Sequence, residues 1–197
     1  MLVDIIVFDG VDEMDALGPL EVLRRAGLVR RELTSRLVVA DKLVPVVGGC
    51  GLTFLPDALF RPGEADVLVV AGGGWTTRAP RGAWAQYQLG ELTSLLQQAS
   101  ERASVTAGVC TGTMLLAHAG VIGARRANTH RAAQQDLSAL GATVIDERVV
   151  DDGDLVTSGG VTSGIDLALW LVERNIDLAL AAWIAQQMEY VPFRPGA

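Results

Sequence analysis

Apolar residues in this chain follow two rhythms. Short, nearly unbroken apolar runs of strand length alternate with longer segments whose apolar positions recur at helical spacing, and glycine or acidic clusters separate them. Leu2 to Phe8 is the first run, interrupted only by Asp4, the pattern of a strand buried on both faces of a parallel sheet. Asp9-Gly10 ends it. VDEMDALGPLEVLRRAG then predicts a helix with Asp12, Glu13 and Asp15 at its amino end, Leu17, Leu20, Val22 and Leu23 as its buried stripe and Gly27 as its cap. Arg36 to Ala40 predicts a second strand. Leu43 to Val47 and Leu52 to Leu55 predict a small hairpin around Gly48-Gly49-Cys50-Gly51.

Asp66 to Ala71 is a further buried strand, ending in Gly72-Gly73-Gly74-Trp75. Pro80 to Ser100 has helical composition with an interruption near Gly90, and Val105 to Val109 reads as a strand. Met114 to Ala119 is helical, Gly120 to Gly123 turns the chain, Ala127 to His130 is extended, and Arg131 to Leu140 returns as helix. Thr143 to Val150 and Leu155 to Ser158 predict two strands joined by a tight turn at Asp151-Asp152-Gly153-Asp154. A helix from Val161-Thr162 to about Arg174 and another from Asp177 to Tyr190 complete the chain. This alternation predicts one domain over residues 1–197, a three-layer α/β/α sandwich around an open, flavodoxin-like, mostly parallel sheet. Ligands in such folds bind beyond the carboxyl ends of the strands, where Asp15, Gly73, Gly74, Cys110 and Gly160 all fall.

The chemistry centres on Ala107 to Ala117, AGVCTGTMLLA. Gly-x-Cys-x-Gly between a strand and a helix is the pattern of a nucleophile elbow carrying a thiol, with Gly108 and Gly112 providing the space a tight turn needs. The amides and dipole of the following helix should favour thiolate over thiol, giving an exposed, activated nucleophile. Gly73 and Gly74 are candidate oxyanion donors or a plain tight turn, and Trp75 is read as lining the pocket. Asp15 is by itself a helix amino-terminal carboxylate, and His130, 20 residues after Cys110, is a candidate base. His118 lies too far along the elbow helix to touch the sulfur and is read as a packed or surface histidine. Cys50 has neither a base nor a helix near it in sequence and is read as incidental.

Composition removes several classes. Half of the 197 residues are hydrophobic, which describes a well-buried domain, and a net charge of -7 gives no electrostatic footprint for nucleic acid. No apolar run reaches membrane-spanning length, and MLVDIIVFDG reads as a first strand and not a signal peptide. Two cysteines indicate neither a disulfide framework nor a thiolate metal site, so the expected compartment is the cytoplasm.

Three segments, FDGVDEMDALGPLEVL, VCTGTMLLAHAGVIGARRANTH and DERVVDDGDLVTSGGVTSGIDLAL, together with the AGGG turn, resemble the ThiJ/PfpI superfamily of the class I glutamine amidotransferase-like fold, and within it the isonitrile hydratases. The resemblance implies that Cys110 is the nucleophile and that the Asp15 carboxyl group contacts its sulfur. It implies that Gly73, Gly74 and the Thr111 amide face the reacting carbon, and that His130, Gly160 and Val161 border the site. Many members carry histidine after the cysteine; Thr111 stands there in this chain, which argues against peptidase or glutaminase chemistry. A homodimer, a small-molecule substrate, no cofactor and no metal are also implied. The activity implied is hydration of an isonitrile to an N-substituted formamide through a Cys110 thioimidate. Alternatives on the same scaffold are glyoxalase-like or deglycase-like action on reactive carbonyls, and a redox or metabolite sensor related to AraC-type regulators. The acidic chain stops at Ala197 without a helix-turn-helix segment, so direct DNA binding is not expected.

Overall fold

The computed structural model describes residues 1–196. Its centre is a seven-stranded sheet built from β1 (Leu2–Ile6), β2 (Thr34–Val39), β5 (Ala58–Leu59), β6 (Val67–Val70), β7 (Val105–Val109), β10 (Val149–Asp151) and β11 (Leu155–Ser158), in the order β10-β11-β7-β6-β1-β2-β5. All neighbours are parallel except β10 and β11, the antiparallel pair at one edge. The four central strands are buried almost throughout, which is why their sequences read as continuous apolar runs. Helices α1 (Glu13–Val29), α6 (Ser163–Asn175) and α7 (Leu178–Gln187) pack together as one layer; α2 (Ala83–Leu89), α3 (Glu91–Ser100) and the short α4 (Gly112–His118) form the other. The fold is therefore the expected flavodoxin-like α/β sandwich. Among the described residues no helix is long and apolar enough to cross a membrane.

Local departures from the sequence reading have identifiable causes. Gly27 does not cap α1; the helix runs on to Val29, and the missing side chain at Gly27 lets the Leu33 carbonyl approach, since a Cβ would sit 2.8 Å from it. The hairpin forms as β3 (Val46–Val47) and β4 (Thr53–Phe54), antiparallel as predicted. Thr143 to Val150 is not one strand. β9 (Thr143–Val144) pairs in parallel with β8 (Arg126–Ala127) in a separate small sheet, and β10 begins only at Val149. Asp146, Glu147 and Arg148 interrupt the run because their polar groups bond to Gln134, Asn128 and Asp166 instead of continuing a ladder. A 3-10 turn (Arg131–Ala133) and α5 (Gln134–Ala139) replace the single helix expected there.

Asp4, the one charge in β1, is fully buried and faces its register partner Arg36 on β2, which donates to it at 2.6 and 3.2 Å and also reaches Glu64 at 2.9 Å. Removing one member of a buried pair strands the other charge. Arg36→Met is expected to cost about 3–5 kcal/mol in urea denaturation, with part recovered by adding Asp4→Asn. A loss below about 1 kcal/mol would mean that the pair acts like a surface bridge.

Candidate active site

β7 delivers Cys110 to a sharp turn before α4, and the cysteine takes a left-handed φ of 55°. A non-glycine residue there is strained by roughly 1–3 kcal/mol and persists only where its surroundings hold it. Its N–H donates to the Gly159 carbonyl at 3.1 Å, and its own carbonyl accepts from Thr129 Oγ1 at 2.8 Å and from the Thr113 amide at 3.3 Å. Gly112 permits the helix to leave directly over β6, because a Cβ there would overlap the Val70 carbonyl oxygen and lie 2.8 Å from that of Ala71. The elbow geometry expected from Gly-x-Cys-x-Gly is thus present.

The amino end of α1 is pinned against the same turn. Asp12 caps the helix by accepting from the Met14 amide at 3.1 Å, while its own N–H donates to the Gly72 carbonyl at 2.9 Å. One turn of helix then places Asp15 beside the thiol. The carboxyl group is completely buried; Oδ2 accepts from the Gly72 N–H at 3.2 Å, and Oδ1 has no hydrogen-bond partner among the described residues. Burial pushes the Asp15 pKa well above the usual carboxylate range, with the negative charge of Asp12 adding to the effect; contacts with Cys110 and with the Gly72 and Val161 amides act in the opposite direction.

Cys110 is only 4% exposed, and its pKa is raised, first by burial and then by the charge of Asp15, against the pull of the Val161 and Thr111 amides. This corrects the expectation of an exposed thiol activated by its helix. Desolvation and a neighbouring carboxylate outweigh the first amides of a seven-residue helix. Burial opposes charge on both groups, and the charge of each acts on the titration of the other.

Of the two readings left open for the glycine turn, oxyanion donors or a plain tight turn, the hydrogen bonds of Gly72 and Gly73 fit the tight turn. Gly73, at φ 122°, donates its N–H to Thr111 Oγ1 at 2.8 Å, so this amide is committed to holding the residue after Cys110, and Gly72 is the member that contacts Asp15. Gly74, at φ 69°, continues the turn. Trp75 is buried with its indole edge-on to Trp84 at 5.1 Å and near Tyr87 and His118, and its Nε1 donates to Asp136 at 3.0 Å; its placement is an aromatic cluster between α2 and α4. His118 packs on Tyr87 with ring centroids 3.9 Å apart, as befits a packed histidine, and partial burial lowers its pKa. His130 lies at the foot of the 3-10 turn, where Nδ1 accepts from the Ala132 amide at 3.2 Å and the ring covers Gly160. Val161, at φ 45°, directs its amide towards both Asp15 and Cys110.

Sequence reasoning missed Thr129 and Gly159, which hold the Cys110 backbone, and Glu13. Glu13 is buried, and its carboxylate accepts from the amides of Cys50 at 2.9 Å and Leu52 at 3.1 Å, fixing the β3–β4 hairpin beside α1. Burial alone would raise its pKa, but these amides together with its own lower it. Folding therefore gives the exposed Cys50 a carboxylate neighbour whose charge raises the thiol pKa, leaving Cys50 a poor nucleophile. The only signal for Glu13 was its place among the acidic residues at the amino end of the first helix. Among the described residues no group of three or more His, Cys, Asp or Glu is arranged to hold a metal ion.

A parallel α/β sandwich whose central strand ends in a cysteine elbow, with a buried carboxyl group delivered by the first helix, defines a narrow class of proteins. Residues 1–174 match the DJ-1/PfpI family, and the chain belongs to it. Isonitrile hydratase from Pseudomonas putida is 33% identical over 191 residues, covering 96% of this chain and 78% of that protein. A deglycase from Thermococcus kodakarensis is 29% identical over 162 residues, 80% of this chain and 89% of its own. The crystal structure of a ThiJ/PfpI family protein from Pseudomonas syringae superposes with a TM-score of 0.85 at 27% identity, covering 100% of this chain and 78% of that one.

Proposed function

We propose that this protein is an enzyme that hydrates isonitriles to N-substituted formamides. The observation that carries the reading is the burial of Cys110 beside the Asp15 carboxyl group, where burial raises the pKa of both; the mechanism has them share one proton. An isonitrile carbon must accept a proton and a nucleophile at the same atom, and the pair supplies both. With the proton on Asp15, the Cys110 thiolate bonds to the terminal carbon as the carboxyl group delivers its proton to that carbon, giving a thioimidate. Asp15, now a carboxylate, takes a proton from water as the oxygen adds to the carbon of the carbon–nitrogen double bond, and passes that proton to the nitrogen, leaving a hydroxyl on carbon. Collapse of the adduct breaks the carbon–sulfur bond, releases the formamide and the Cys110 thiolate, and gives the hydroxyl proton to Asp15, restoring the starting state. Threonine after the cysteine, in place of histidine, and similarity to the Pseudomonas putida isonitrile hydratase support this reading.

Similarity to a deglycase favours a second reading on reactive carbonyls. Purified protein incubated with alkyl and aryl isonitriles in ¹⁸O-labelled water is expected to yield formamide carrying one label, and methylglyoxal in parallel to give no lactate. Lactate without formamide would replace the first reading with the second. Neither product would remove both.

A further inference from the structure

Arg148 brackets the loop that completes the elbow. Its carbonyl oxygen accepts from the Gly159 amide at 3.1 Å, and its Nη2 donates to Thr162 Oγ1 at 3.1 Å. Between these two anchors, the Gly159 carbonyl takes the Cys110 N–H, and Val161 holds a left-handed φ that a β-branched residue adopts only under tertiary constraint. The His130 ring confines the loop from outside, since a Cβ on Gly160 would lie 2.6 Å from its Cδ2.

The guanidinium is itself locked. Nε donates to Asp166 Oδ2 at 2.7 Å, and Asp166 is fully buried in the first turn of α6. Tyr190, just beyond α7, donates its hydroxyl to the same oxygen at 2.9 Å, and the Phe193 amide donates to Oδ1 at 2.7 Å. The segment after α7, the 159–162 loop and the elbow are therefore joined through one arginine. Because that guanidinium is neutralised by Asp166, its influence on the thiol passes through the loop and not through its own field.

We propose that Arg148, locked by Asp166 and Tyr190, is the positioning residue of the Cys110 elbow: it sets the 159–162 loop so that the Gly159 carbonyl holds the nucleophile's amide and the Val161 amide faces the thiol–carboxyl pair. The charged group facing the thiol is Asp15 on α1, and the one behind Asp15 is Asp12 at the helix cap. Neither belongs to the loop, so loosening the loop removes the Val161 amide while leaving both carboxyl groups in place.

Thr162→Val tests this, because it removes the side-chain anchor between the Arg148 guanidinium and the loop at an exposed, isosteric position, and leaves both the Arg148 carbonyl–Gly159 bond and the Arg148–Asp166 pair intact. The measurement is the rate of Cys110 alkylation by iodoacetamide against pH, in a Cys50→Ala background so that one thiol reports. It requires no substrate and so stands apart from the activity proposed above. Thr162→Val is expected to slow alkylation about fivefold, the scale of one hydrogen bond, and to displace the pH–rate profile to higher pH without changing the thermal midpoint. Thr162→Ser, which keeps the hydroxyl, should restore the parent profile. A Thr162→Val profile that superimposes on the parent, or faster alkylation, would overturn the assignment.

Discussion

Replacing Cys110 with serine is expected to reduce formamide formation to the uncatalysed level, a loss of roughly 10⁴-fold or more, the scale on which removal of an activated nucleophile acts. Serine keeps the volume and the backbone demands of the elbow, so the hydrogen bonds to Gly159 and Thr129 should survive and thermal unfolding should change little. A hydroxyl is a far weaker acid than a thiol, and in a site that already raises the thiol pKa it would not ionise. Intact-mass measurement during turnover checks the same step from the other side. The parent protein should carry an adduct equal in mass to the isonitrile, and the serine variant none. Turnover retained by the serine variant would mean that Asp15 hydrates the substrate without covalent help.

Asp15→Asn should lower turnover by roughly 10²–10⁴-fold, the range for loss of a positioned acid–base group. Its other two consequences run in the opposite direction. Without the neighbouring carboxylate the Cys110 pKa falls, so alkylation at neutral pH becomes faster as catalysis fails. Stability should also rise with pH relative to the parent. Because burial raises the Asp15 pKa in the folded state, the folded protein holds a proton that the unfolded chain releases; the stabilising contribution is complete below the ordinary carboxylate pKa and is lost as pH climbs through the raised value. Asparagine has no such loss, so the gap between the two thermal midpoints should widen from about pH 4 upwards. A constant gap across that range would show that Asp15 titrates normally and would remove the shared proton from the mechanism.

Both predictions depend on a pairing that spacing along the chain does not reveal. Asp15 and Cys110 stand 95 positions apart, and the local pattern around Asp15, an acidic residue in the first turn of a helix, is that of an ordinary dipole partner. What could be read was its place after the first strand of an alternating fold, which puts it at the same sheet edge as the elbow. The resemblance to a known family supplied the contact itself. The glycine turn shows the opposite limit. Three consecutive glycines signalled close backbone approach, and the approach is real, but its object is Asp15 and Thr111 within the protein. Trp75 follows that turn directly, yet the rings of Trp84, Tyr87 and His118 and the Asp136 carboxylate draw its indole into the layer between α2 and α4.

The sequence by itself determined the strand–helix alternation, the buried parallel sheet and the elbow, because each depends on residues close together in the chain: apolar runs, caps, and glycines beside a cysteine. Tertiary structure alone decided the ionisation of the site. Whether a thiol is activated by its helix or silenced by burial is a balance between a local dipole and desolvation by residues from α1, the glycine turn and the 159–162 loop. Desolvation is set by what the rest of the fold packs over the sulfur, and no window of sequence around Cys110 contains it.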